Sequence, residues 1–130
     1  KFNRLAKQLI AEGKNTKAIE VLDRCMEIMP SHNFKYDLFV LDIIDSYYAA
    51  GAKDKATAIT EEFAETTQQD INYLFSMPSK YLASLDYEQR LAFHYLQRLS
   101  EMARKNGNTD LADKTYSILT TAVEKATLNQ

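Results

Sequence analysis

Apolar residues return at three- and four-residue steps along most of the chain. The first set, Phe2, Leu5, Ala6, Leu9 and Ile10, falls on one face of a helix with about 3.6 residues per turn. Gly13 is expected to close that helix, because glycine enters the left-handed conformation without a Cβ penalty, and Asn15 is expected to cap the next. A second stripe, Ala18, Ile19, Leu22, Cys25, Met26 and Met29, runs to Pro30, whose ring cannot continue a helix. The pattern predicts a helical hairpin over residues 1–30, with a connection so short that its helices lie antiparallel and in contact.

A second hairpin is predicted over 33–77. Phe34, Leu38, Phe39, Leu41, Ile43, Ile44, Tyr47 and Tyr48 give a helix apolar over most of its circumference, the mark of a central element. Gly51 repeats the part of Gly13. From Lys53 nothing stops the following helix before Pro78, so it is expected to be overlong, reaching about Met77, with a polar patch at Thr66 to Gln69 where it could bend. Residues 68–85 read as an insertion in which Tyr81 and Leu82 need cover. A third hairpin, 86–127, carries Leu91, Phe93, Tyr95, Leu96, Leu99 and Ala103, then Gly107, then Leu111, Ala112, Tyr116, Leu119, Val123 and Ala126. Tyr47 and Tyr116 are expected in the core, Tyr36 and Tyr48 at the surface.

One step recurs three times. Ala18, Ala56 and Ala112 each stand five residues after a lone glycine, at Gly13, Gly51 and Gly107. Small residues there let paired helices approach closely. The expectation is a single all-α domain, 1–130, of six main helices in three hairpins.

Within the first hairpin, Phe2, Leu5, Ala6, Leu9, Gly13, Ala18, Leu22, Cys25 and Pro30 stand where the tetratricopeptide repeat has its signature residues, and the pattern resembles that family. Phenylalanine replaces the usual tryptophan, Leu9 and Leu22 replace aromatics, and Cys25 replaces an alanine. The resemblance implies a right-handed superhelix whose first helices line a concave groove. Its offsets place Asn3, Lys7 and Ile10, then Leu38, Leu41, Asp45 and Tyr48, then His94, Gln97, Glu101 and Arg104 in that groove, a mixture of apolar anchors and polar groups suited to a peptide or partner helix. The clamp for a terminal carboxylate found in some members is not carried over, because Asp42 and Asp45 would repel that charge. A narrower likeness, in EVLDRCMEIMP, the overlong helix and SLDYEQRLAFHYLQRLSEMARKNG, is to the C-terminal soluble region of large bacterial multi-spanning membrane proteins of the lipid-linked glycosyltransferase-like type. It implies an accessory domain tethered on the extracytoplasmic side that positions an acceptor; without it, the cytoplasm is the alternative.

Composition narrows the chemistry. Sixteen basic and eighteen acidic residues give a net charge of −2, and no basic block of the kind that tracks phosphates appears, so nucleic acid is not the expected partner. No apolar run approaches the roughly 20 residues of a membrane span, and no signal-peptide pattern opens the chain. The helix already under way at Lys1 suggests a piece of a longer polypeptide. His32 and His94 are far apart and lack partners at metal-ligand spacing, and each glycine stands alone, so no metal, cofactor or phosphate cradle is expected. Cys25 reads as a small buried hydrophobe. A free-standing hydrolase would have to use His94 with Glu88 or Glu101. The reading that fits best is a non-catalytic interaction or accessory domain with a protein or peptide ligand.

Overall fold

The computed structural model describes residues 2–28, 37–81 and 83–128. Met29, Pro30, His32, Phe34, Tyr36 and Leu82 lie outside the described residues, as do the side chains of Phe2 and Asn3. The fold is all-α. Six α-helices occur among the described residues: α1 (Phe2–Ala11), α2 (Asn15–Ile28), α3 (Leu38–Ala49), α4 (Lys53–Ser76), α5 (Asp86–Lys105) and α6 (Thr109–Leu128). Short 3-10 turns at Ser79–Tyr81 and Ala83–Leu85 lead into α5. The chain forms two compact units, Lys1–Ile59 and Thr60–Gln130, and the boundary falls inside α4.

The three glycine turns share one geometry. Gly13, Gly51 and Gly107 have φ of 78°, 85° and 76°. In each turn the glycine amide donates to the carbonyl three residues back (Ile10, Tyr48, Arg104), and the next amide donates to the carbonyl five back (Leu9, Tyr47, Ala103), at 2.8 to 3.1 Å. This pair of bonds satisfies carbonyls that a helix end would otherwise leave unpaired. The residue after each glycine then opens the following helix: the carbonyls of Lys14, Ala52 and Asn108 accept from the amides of Ala18, Ala56 and Ala112. The five-residue step from glycine to alanine is therefore one helix closure and one helix start sharing a single residue. Asn15, expected as a cap, is instead the first residue of α2, and Lys14 holds the capping place. A Cβ at any of the three glycines would meet open space, so the requirement is the backbone angle alone. Gly51→Ala is expected to cost about 1 kcal/mol through strain in the left-handed region. Gly51→Asn should cost less; urea denaturation of the two variants checks the order.

In the first unit α1 packs along α2, and α3 lies against both. α3 is the central helix that its composition foretold, with Val40, Leu41, Ile43, Ile44, Ser46, Tyr47 and Tyr48 all buried. Its start is set by Asp37, whose carboxylate accepts from the Phe39 amide at 3.0 Å. Among the described side chains of α1 the buried one is Ala6, whereas Leu5, expected on the inner face, is half exposed. Ala6, Ala18 and Ala56 are wholly buried.

A polar clamp crosses this unit. The Tyr47 hydroxyl donates to Asp23 Oδ1 at 2.7 Å, and Lys55 Nζ pairs with Asp23 Oδ2, so α2 holds α3 and the start of α4 through one carboxylate. Burial, then the hydrogen bond to Asp23 and its negative charge, push the Tyr47 phenol well above its ordinary value. Cys25 is 3% exposed, and burial raises its thiol as well. It is expected to resist a disulfide reagent in the native protein and to react fully once urea unfolds it, a contrast that absorbance of the released thiolate measures.

In the second unit α5 and α6 pack along each other over Leu96, Leu99, Ala103, Leu111, Ala112, Thr115 and Leu119. α4 runs unbroken through the polar patch where a bend was possible. Thr67 faces inward there and donates to its own helix at Phe63 O, 2.8 Å away, so the buried hydroxyl is satisfied, while Gln68 and Gln69 face solvent. The Phe63 ring meets Tyr95 edge-on, centroids 5.2 Å apart. Tyr81 finds part of its cover in Lys80, whose ammonium lies 5.0 Å from the ring centroid.

Candidate functional site

The residues expected to line a groove fall in both units. In the first, Lys7 is exposed and pairs with Asp42 across α1 and α3 at 3.2 Å, and Leu38 is exposed. Leu41 and Tyr48 are buried, 5% and 9% exposed, and Asp45 is half-buried. Neither Leu41 nor Tyr48 is an accessible groove residue, and the expectation that Tyr48 reaches the surface fails. A helix buried on nearly every side offers a ligand little beyond its ends, and α3 is such a helix.

In the second unit three of the four expected positions come together. Gln97, Ser100, Glu101, Arg104 and Lys105 follow one another on one face of α5, and with Tyr116 and Leu119 of α6 they line an open hollow of about 700 Å³. Three of these, Gln97, Glu101 and Arg104, are among the positions that the resemblance placed in a groove. His94 is exposed a turn earlier on α5 and does not line the hollow; its ring centroid is 6.4 Å from that of Tyr95. It makes no hydrogen bond or ion pair with Glu88 or Glu101 among the described residues.

The polar rim is ordered by its own contacts. Gln97 Nε2 donates to Glu101 Oε1 at 3.2 Å, and Arg98 Nη1 to Glu101 Oε2 at 3.3 Å. Arg104 Nη2 donates to Asp113 Oδ1 of α6 at 3.0 Å, bridging the two helices near their turn. Ser100 Oγ gives its hydrogen to the Ala112 carbonyl at 3.1 Å, a helix-to-helix bond rather than a contact with a base, so it is not set up as a nucleophile. Lys105 has no ion-pair partner among the described residues. Tyr116, expected in the core, is 53% exposed and forms the aromatic wall of the hollow.

Tyr116, Leu119 and Lys105 were not foreseen as site residues. A signal for Tyr116 existed: in an antiparallel pair turning at Gly107, residues equally far from the turn lie side by side, which sets Tyr116 beside Gln97 and Arg98. The hollow offers hydrogen-bond donors, acceptors and an apolar wall. Among the described residues no three of His, Cys, Asp and Glu converge as metal ligands, and no helix is long and apolar enough to cross a membrane. No family model, curated protein or solved structure matches this chain.

Proposed function

We propose that this chain is a non-catalytic protein-interaction domain of tetratricopeptide-like architecture, and that the α5–α6 hollow receives a peptide or helix from a partner protein. The observation that carries the reading is the hollow itself, where an exposed aromatic wall, Tyr116 above Leu119, stands beside a rim of ordered polar groups. Interfaces favour that pairing, because tyrosine supplies rigid contact area and arginine supplies directed hydrogen bonds. The three identical glycine turns support the likeness to helical repeats, which commonly bind through a surface built by adjacent helices.

The test is a photo-crosslinking residue placed at Gln97 in cells that make the protein. Capture of a defined partner is expected, and Tyr116→Ser should reduce it at least about tenfold, on the order of 1.4 kcal/mol, without changing the melting temperature. Undiminished capture by folded Tyr116→Ser protein would remove the hollow from the interface. Leu41 and Tyr48 are unsuited to such a test, since both are buried and their replacement would report on folding.

A further inference from the structure

We infer that Asn106 is a self-modifying residue, which converts to aspartate or isoaspartate when the Gly107 turn opens, and that conversion loosens the α5–α6 hairpin. Among the asparagines of the chain, Asn106 alone is followed by glycine. Glycine has no Cβ to screen its nitrogen from the preceding side chain, so that nitrogen can reach the asparagine Cγ. The Gly107 nitrogen gives up its proton and bonds to Cγ, the Cγ–Nδ2 bond breaks, and Nδ2 takes that proton and leaves as ammonia. Water then opens the five-membered imide ring. Attack at Cγ yields aspartate, and attack at the main-chain carbonyl of the same residue yields isoaspartate, whose chain runs through Cγ. No further reactant is needed, and water reaches the site, since Gly107 is exposed and Asn106 half-buried.

The closed turn holds both reacting groups. The Gly107 amide donates to Arg104 O at 3.1 Å, and Asn106 Nδ2 donates to Met102 O at 2.7 Å. Both bonds must break before the ring closes, so the reaction draws on the open population of the turn. Neither product restores the original contacts. Aspartate sets a carboxylate oxygen, an acceptor, where Nδ2 donated to the Met102 carbonyl, and adds negative charge at the C-terminal end of α5, where the helix dipole disfavours it. Isoaspartate adds a methylene to the main chain before Gly107, lengthening the turn that the bonds from Gly107 to Arg104 and from Asn108 to Ala103 span. The other two glycine turns, alike in backbone, carry Glu12 and Ala50 in this place and have no side-chain amide to lose.

The experiment incubates the 130-residue chain at mildly alkaline pH, folded and in urea, and resolves converted protein by anion exchange on its added charge. Mass spectrometry of the tryptic fragment between Lys105 and Lys114 locates the change. Each rate is divided by that of the free peptide RKNGNTD in the same solvent, which removes any effect of urea on the chemistry itself. Conversion is expected at Asn106 and not at Asn108, whose neighbour Thr109 is β-branched. In the folded chain it should run at least about tenfold slower than in urea. Converted protein should melt at a lower temperature than unconverted protein, Asn106→Asp should reproduce the aspartate share of that loss, and Asn106→Gln should stop the added charge from forming. A folded chain that converts as fast as the unfolded one would overturn the control by the turn. An unfolded chain that stays intact at Asn106 would overturn the modification, and converted protein with an unchanged melting temperature would overturn the loosening.

Discussion

Phe63→Ala is expected to destabilise the protein by about 3–5 kcal/mol, the range for emptying a buried phenylalanine site. Phe63 is wholly buried, and its ring and that of Tyr95 make the T-shaped arrangement that adds to simple burial. Truncation removes apolar contact and leaves a void that the rigid helix α4 cannot collapse to fill. Phe63→Leu keeps most of the volume and should cost about 1 kcal/mol, and exposed Glu62→Ala almost nothing. Urea unfolding followed by circular dichroism ranks the three. Phe63→Ala indistinguishable from Glu62→Ala would mean the ring does not hold α4 to α5.

Asp23→Ala should cost about 2 kcal/mol, because it leaves the buried Tyr47 hydroxyl without its acceptor. Tyr47→Phe removes donor and hydroxyl together and should cost about 1 kcal/mol. Lys55→Met should cost least, since the Lys55–Asp23 pair is partly exposed and screened by solvent. The order identifies Asp23 as the hub; an equal cost for Tyr47→Phe and Asp23→Ala would place the loss in the ring packing. The clamp also has a pH signature. Tyr47 stays protonated in the native state above the ordinary phenol value of 10.0, whereas in the unfolded chain it ionises there. The unfolded state then binds fewer protons, so Tyr47 contributes to stability that is fully present below about pH 10 and is lost as pH rises further. Denaturation between about pH 9 and 11 should show a fall that is shallower in Tyr47→Phe.

Much of the fold was legible because its boundaries are written in backbone chemistry. Each glycine marks a left-handed turn, and Pro78 limits α4, which was expected to reach Met77 and ends at Ser76. What failed was the assignment of faces. On α6, Tyr116 lies four residues after Ala112 and three before Leu119, so periodicity puts it on the buried stripe. The core instead takes Thr115, which hides its hydroxyl by donating to the carbonyls of Leu111 and Ala112 at 3.0 Å. A threonine that can bond its own helix counts as apolar to the core and as polar to a pattern search. Tyr48 failed for the opposite reason: on a helix apolar all round, no polar face remains to say which aromatic points outward. The candidate site was half visible, through Gln97, Glu101 and Arg104, since one helix face can be read from spacing. The α6 wall needed the hairpin pairing as well.

The continuity of α4 across the two units carries an evolutionary consequence. Units joined by a loop can be exchanged, excised or duplicated by recombination in the linker, with the severed ends simply hydrated. A break between Ile59 and Thr60 would instead strand a turn of carbonyls on one fragment and a turn of amides on the other. A shortened form of this chain would have to keep the whole rod from Lys53 to Ser76 or build a new helix end in its place.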